Sequence, residues 1–123
     1  MQVAPLIAAL LSIVLSVLGQ FALKQGTRAA AAGAVDSEGF ASILGRSLMQ
    51  PSTLLGLGLY AAGAVLWVYV LSHWDVSKAY PMVGCGFVLT LAVGSFVFGE
   101  AVSIERWVGC GLICVGLLLM ARS

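Results

Sequence analysis

Four uncharged apolar runs, Val3 to Leu23, Leu54 to Leu71, Ala79 to Gly99 and Trp107 to Ala121, take up most of the 123-residue chain. Each approaches or reaches the roughly 20 residues that carry a helix across a hydrocarbon layer. With 61% hydrophobic and 9% charged residues, against roughly a quarter charged in an ordinary soluble domain, water could not keep this chain dispersed. The expected fold is an all-α integral membrane protein, a four-transmembrane-helix bundle forming one domain over residues 1–123, with spans at about 3–24, 52–73, 78–99 and 104–121. The opening "MQVAPLIAAL" carries no Lys or Arg, and its apolar run exceeds a usual signal core, so it is expected to remain as a span.

The one long connection, Gln25 to Ser52, holds Arg28, Asp36, Glu38 and Arg46. Within it Ser37 is placed to cap a short interfacial helix with Phe40, Ile43, Leu44 and Leu48 on one side, before Pro51 starts the second span. The connections "SHWDVSK" and "GEAVSIER" are short, which makes the last three spans antiparallel neighbours. Lys24, Arg28, Arg46 and Arg106 then fall on one side and Lys78 and Arg122 on the other. That favours termini outside the cytoplasm, by a margin that a partner chain could override.

Inside the first run, "LSIVLSVLGQFALK" places Ser12, Ser16, Gln20 and Lys24 at every fourth position, one slanted stripe on a helix. A serine can satisfy itself on the carbonyl four residues back, so the two hydroxyls alone fit a packing role as well as a site. Gln20 shifts that balance, because its amide has donors and an acceptor that neither lipid nor its own helix satisfies. Lys24, at the end of the run, either snorkels to the headgroup layer or binds an anionic group at the membrane rim.

The third span begins "KAYPMVGCGF", where Pro81 opens or kinks the first turn and Gly84 and Gly86 thin the helix beyond it. Tyr60, Trp67, Tyr69 and Tyr80 offer rings and hydroxyls to a sugar or a lipid chain, although aromatic residues near a boundary also serve as anchors. Glu100 and Arg106 are six residues apart across the last turn and are expected to pair, with attraction of an amine as the functional alternative for Glu100. His73 reads as interfacial, and Cys85, Cys110 and Cys114 as packing residues without a metal site. A net charge near +1 points to no nucleic-acid partner, and the chain has no constellation that marks an enzyme and implies no cofactor.

Gly56 to Ala121 resembles the last three helices of the small multidrug resistance group within the drug/metabolite transporter superfamily, and "GCGLICVGL" resembles that group's pairing motif. On "LSVLGQFALKQGT", "LWVYVL", "AYPM" and "GE.VS..RW.G" the chain is most similar to the branch of paired ArnE and ArnF subunits. That resemblance implies a bacterial inner-membrane flippase subunit moving a polyprenyl-phosphate-linked aminosugar. It would use Ser16, Gln20, Lys24, Tyr60, Trp67, Tyr80 and Glu100 on its cargo. The drug exporters of the group carry an intramembrane glutamate where this chain has Ser16, whose hydroxyl does not ionise, so their proton-for-cation exchange is not expected here.

Four helices enclose only a narrow space, so the pathway is expected between two chains. Gly109, Leu112, Ile113 and Gly116 in the fourth span are placed to meet a second copy or a related subunit. Two further readings stay open: an exporter of small molecules that lack a strong positive charge, and a subunit that scaffolds a glycosyltransferase.

Overall fold

The computed structural model describes residues 3–32 and 39–122. Its helices are α1 (Val3–Ala32), α2 (Phe40–Leu48), α3 (Pro51–His73), α4 (Val76–Ala79), α5 (Gly84–Phe96) and α6 (Ile104–Arg122), with a 3₁₀ turn over Tyr80–Val83. Four stretches among these residues are long and apolar enough to cross a membrane: Val3–Ala32, Pro51–His73, Val76–Phe96 and Ile104–Arg122. The chain is a multi-pass, all-α membrane protein.

α1 is longer than hydropathy alone suggests. The alanines after Arg28 have the highest helix propensity of any residue, so the helix continues through Ala32 into what composition marks as a connection. Its 30 residues span about 45 Å at 1.5 Å each, against about 30 Å of hydrocarbon. Ser37, the expected cap of α2, lies outside the described residues; Gly39 takes the N-cap position in an extended conformation. α2 buries Ser47, packs on α1, and leaves Phe40, Ile43, Leu44 and Leu48 exposed.

The tightest pair is α1 with α3, and glycines make it. A Cβ on Gly19 would stand 2.9 Å from the Gly56 carbonyl, and one on Gly56 would stand 2.7 Å from the Gly19 carbonyl. One heptad further along α1, Gly26 lies against Thr53 with no room for a Cβ, and towards the other end Gly63 rests on the Ser12 carbonyl. Ser12, only 4% exposed, donates its hydroxyl to the Gly63 carbonyl at 2.7 Å. At that end Ala8, Ala9, Val70, Trp74 and Ala79 form the buried core that joins α1, α3 and α4.

Pro81 has no N–H to give to an α-helix, and the backbone tightens into the 3₁₀ turn before α5 resumes at Gly84. The two glycines that follow are contact points on opposite sides: Gly84 meets Ile113 and Leu117 of α6, and Gly86 meets Ile13 and Val17 of α1. α5 stops at Phe96, short of the expected boundary at residue 99, because Gly99 turns left-handed with φ 65°. The Phe98 N–H then reaches the Val93 carbonyl at 3.4 Å and the Glu100 N–H the Gly94 carbonyl at 3.0 Å. α6 buries none of its residues and rests mainly on α5.

Candidate substrate cavity between α1, α3 and α5

A cavity of about 230 Å³ opens where α1 forms the floor and α3 and α5 form the walls. Ser12, Ser16 and Gln20 bring the polar stripe to it, Tyr60 and Trp67 face it from α3, and Phe87 and Thr90 from α5. Glycines set its shape: Gly19 lets the Tyr60 ring lie against α1, with the ring's Cδ2 3.0 Å from the position of a Cβ, and Gly86 lets α5 approach Ile13. The two serine hydroxyls are already engaged. Ser12 is tied to α3, and Ser16 donates to the Ser12 carbonyl at 2.9 Å, the local bond expected of a membrane serine. Gln20 is exposed at the cavity and has no hydrogen-bond partner among the described residues. Its amide is therefore an uncommitted donor and acceptor at the cavity, as are the Tyr60 and Thr90 hydroxyls and the Trp67 ring N–H, which likewise have no hydrogen-bond partner among the described residues.

The stripe does not run straight into one site. Four residues of α-helix turn about 400°, so each step drifts about 40° around the axis, and the drift from Ser12 to Lys24 is about a third of a turn. Lys24 leaves the cavity and pairs with Glu100 at the end of the bundle. This corrects the expected Glu100–Arg106 pair. Arg106 lies in the first turn of α6, where its N–H takes the Ser103 hydroxyl at 3.3 Å and the Ser103 carbonyl at 3.1 Å. Beside the Lys24–Glu100 pair, Phe21 and Phe98 stack with centroids 4.8 Å apart, and the Arg28 guanidinium lies 5.9 Å from the Phe98 ring centre.

Of the candidate cargo residues, Ser16, Gln20, Tyr60 and Trp67 share the cavity, while Lys24 and Glu100 form the pair beyond it. Tyr80 joins neither. It is 67% exposed in the 3₁₀ turn and lines a separate groove of about 320 Å³ with Ile113, Gly116 and Met120 of α6. Thr90 was not singled out from the sequence, although it is the only hydroxyl in "GFVLTLAVG". His73 stays outside, its Nδ1 within 2.9 Å of the Ser72 hydroxyl and 3.0 Å of the Tyr69 carbonyl. On α6, a Cβ at Gly109 or Gly116 would meet nothing within 4 Å, and Leu112 is 67% exposed. Ile113 differs from these three, because its Cγ2 packs inside the chain, 3.2 Å from the Cβ position of Gly84.

A family model described as putative transmembrane family 234 matches residues 22–121. A probable 4-amino-4-deoxy-L-arabinose-phosphoundecaprenol flippase subunit ArnE from Pseudomonas syringae pv. syringae is 40% identical over 112 residues, 89% of this chain and 93% of the relative. The chain belongs to the ArnE family and to putative transmembrane family 234. A second probable ArnE subunit, from Pseudomonas savastanoi pv. phaseolicola, is 45% identical over 69 residues, 56% of each chain. An uncharacterized protein, y4nH of Sinorhizobium fredii, is 28% identical over 100% of this chain and 99% of its own. No solved structure matches the chain.

Proposed function

We propose that this chain is one subunit of a flippase that moves an aminosugar carried on a polyprenyl phosphate between the leaflets of the bacterial inner membrane. The observation that carries the reading is Gln20, an amide with no partner among the described residues, facing a cavity inside a membrane span of an ArnE-family chain. About 230 Å³ is below the roughly 300–1,000 Å³ of a drug-sized pocket. One chain therefore cups a single small polar ring while the hydrocarbon of the cargo stays in lipid. Gln20 hydrogen-bonds the ring's hydroxyl or amino groups, and Tyr60 and Trp67 provide faces on which a sugar stacks.

The chain acts as a carrier rather than an enzyme, and a cavity this small and open on one side is completed by a second chain. We assign that role to a second copy or a related subunit docked against the exposed face of α6 at Gly109, Leu112 and Gly116.

The test is movement of a phosphoundecaprenyl aminosugar between leaflets of vesicles containing the chain with its related subunit. Gln20→Leu keeps the helix and the volume but removes the amide, and is expected to slow movement at least tenfold, about 1.4 kcal/mol, with unchanged thermal stability. Unchanged transport in that variant would sink the assignment of Gln20. No movement by the unaltered pair would sink the function.

A further inference from the structure

We propose that the Lys24–Glu100 pair is a latch over an anion site: Glu100 holds Lys24 in the empty chain and yields it to the phosphate of a lipid-linked head group. The proposal rests on the flippase reading and adds to it where the phosphate binds and what keeps that place closed.

Glu100 is seated with unusual economy of space. Its carboxylate lies back over α5, where a Cβ on Gly94 would come within 2.9 Å of Oε2. Its N–H is tied to the Gly94 carbonyl at 3.0 Å, and the turn that brings it there passes through left-handed Gly99. Two glycines thus aim a carboxylate at a lysine seventy-six residues away in sequence. The carboxylate is borne by a non-helical connection and the lysine by a continuous helix, so release needs movement of the connection alone.

Among the described residues the charges around the pair do not balance. Arg28 follows Lys24 by one turn of α1 and approaches the same connection, over Phe98 rather than over a carboxylate. Two cations of α1 therefore flank residues 98–100, which supply one carboxylate among the described residues. A phosphate that takes Lys24 from Glu100 finds the second cation one turn away, and charge-assisted bonds to phosphate oxygens replace the one given up. Lys24 and Glu100 are 41% and 34% exposed, which leaves the lysine open to an incoming head group although the paired Oε1 is itself covered. Ion pairs this exposed hold little net stability, so exchange is cheap. Lys24 also follows Gln20 by one turn, which places the phosphate one turn along α1 from the amide that receives the sugar.

The experiment measures binding of undecaprenyl phosphate, with undecaprenol and inorganic phosphate as comparison probes, to the full chain and its related subunit in nanodiscs. Transport of the sugar-linked lipid is followed in parallel. Glu100→Gln removes the competitor and is expected to tighten undecaprenyl phosphate binding several-fold without changing undecaprenol. Lys24→Gln is expected to weaken it at least tenfold. The exchange Lys24→Glu with Glu100→Lys restores an ion pair but moves the cation to the connection, and is expected to leave binding as weak as in Lys24→Gln. Should Glu100→Gln fail to fold, Gly94→Ala, which displaces the carboxylate from its seat, is expected to tighten binding in its place.

Recovery of wild-type binding by the charge exchange would show the pair to be a brace and overturn the latch. Unchanged or weaker binding by Glu100→Gln, with transport intact in the unaltered protein, would overturn the latch and leave the flippase reading standing. Tighter binding by Glu100→Gln in a protein that moves no sugar lipid would support the latch and overturn that reading. An equal response to inorganic phosphate would overturn the assignment to a lipid-linked group.

Discussion

The seam between α1 and α3 and the outer face of α6 are both lined with glycines seven residues apart, yet they end in opposite conditions. Gly19 and Gly26 on α1 meet Gly56 and Thr53 on α3 so closely that a Cβ would collide with the Gly56 carbonyl at the first and with the Thr53 side chain at the second. Gly109 and Gly116 on α6 meet nothing within 4 Å. The same spacing that brings two helices of one chain together is, on α6, left open towards lipid. In a bilayer, where apolar surface gains little by leaving lipid, close backbone approach is a main source of helix association. The first seam is complete within the chain, and the second is the face on which we propose that another chain docks.

Substitution on the two surfaces should separate them. Gly19→Leu drives a branched side chain into the Gly56 carbonyl and the Tyr60 ring, and should cost about 3 kcal/mol or more, read as loss of the folded chain in detergent denaturation. The matching change on α6, Gly109→Leu, should leave that denaturation curve in place and weaken association between chains about tenfold, about 1.4 kcal/mol, measured by dilution in lipid. If Gly109→Leu unfolded the chain, or left association untouched, the contrast would fail. The smallest effect belongs to the hydrogen bond that pins the seam. Ser12→Ala should cost about 0.6 kcal/mol, because polar contacts between membrane helices are worth little even when buried.

The four spans were legible because hydropathy over a long window reports directly on the solvent that a helix meets. Gly109 and Gly116 repeat at seven residues in the sequence, and so do Gly19 and Gly26, with equal clarity. What the sequence lacks is the identity of the facing helix, and that alone decides which glycines are filled. The cavity was half legible. Gln20 announces itself as an amide in a greasy run, and Tyr60 and Trp67 face it because α3 packs on α1 through its glycines. Tyr80 looked equivalent but was turned away by the 3₁₀ turn that Pro81 imposes. The partner of Glu100 was not legible at all. Proximity in sequence favours Arg106, while the choice of Lys24 depends on Gly94 and Gly99 bending the connection back over α5.

The overhang of α1 also determines how the bundle stands in its bilayer. A rod about 45 Å long cannot be hidden in a hydrocarbon layer about 30 Å thick without leaning, so its last turns project as a post beyond Lys24. α2 is braced against α1 like an outrigger and leaves Phe40, Ile43, Leu44 and Leu48 exposed, an apolar side suited to rest on lipid. Post and outrigger together set a waterline for the bundle. If the latch proposed above holds, the Lys24–Glu100 pair stands at the height of lipid phosphates, and the thickness of the host membrane becomes a variable that tunes how readily a head group reaches it.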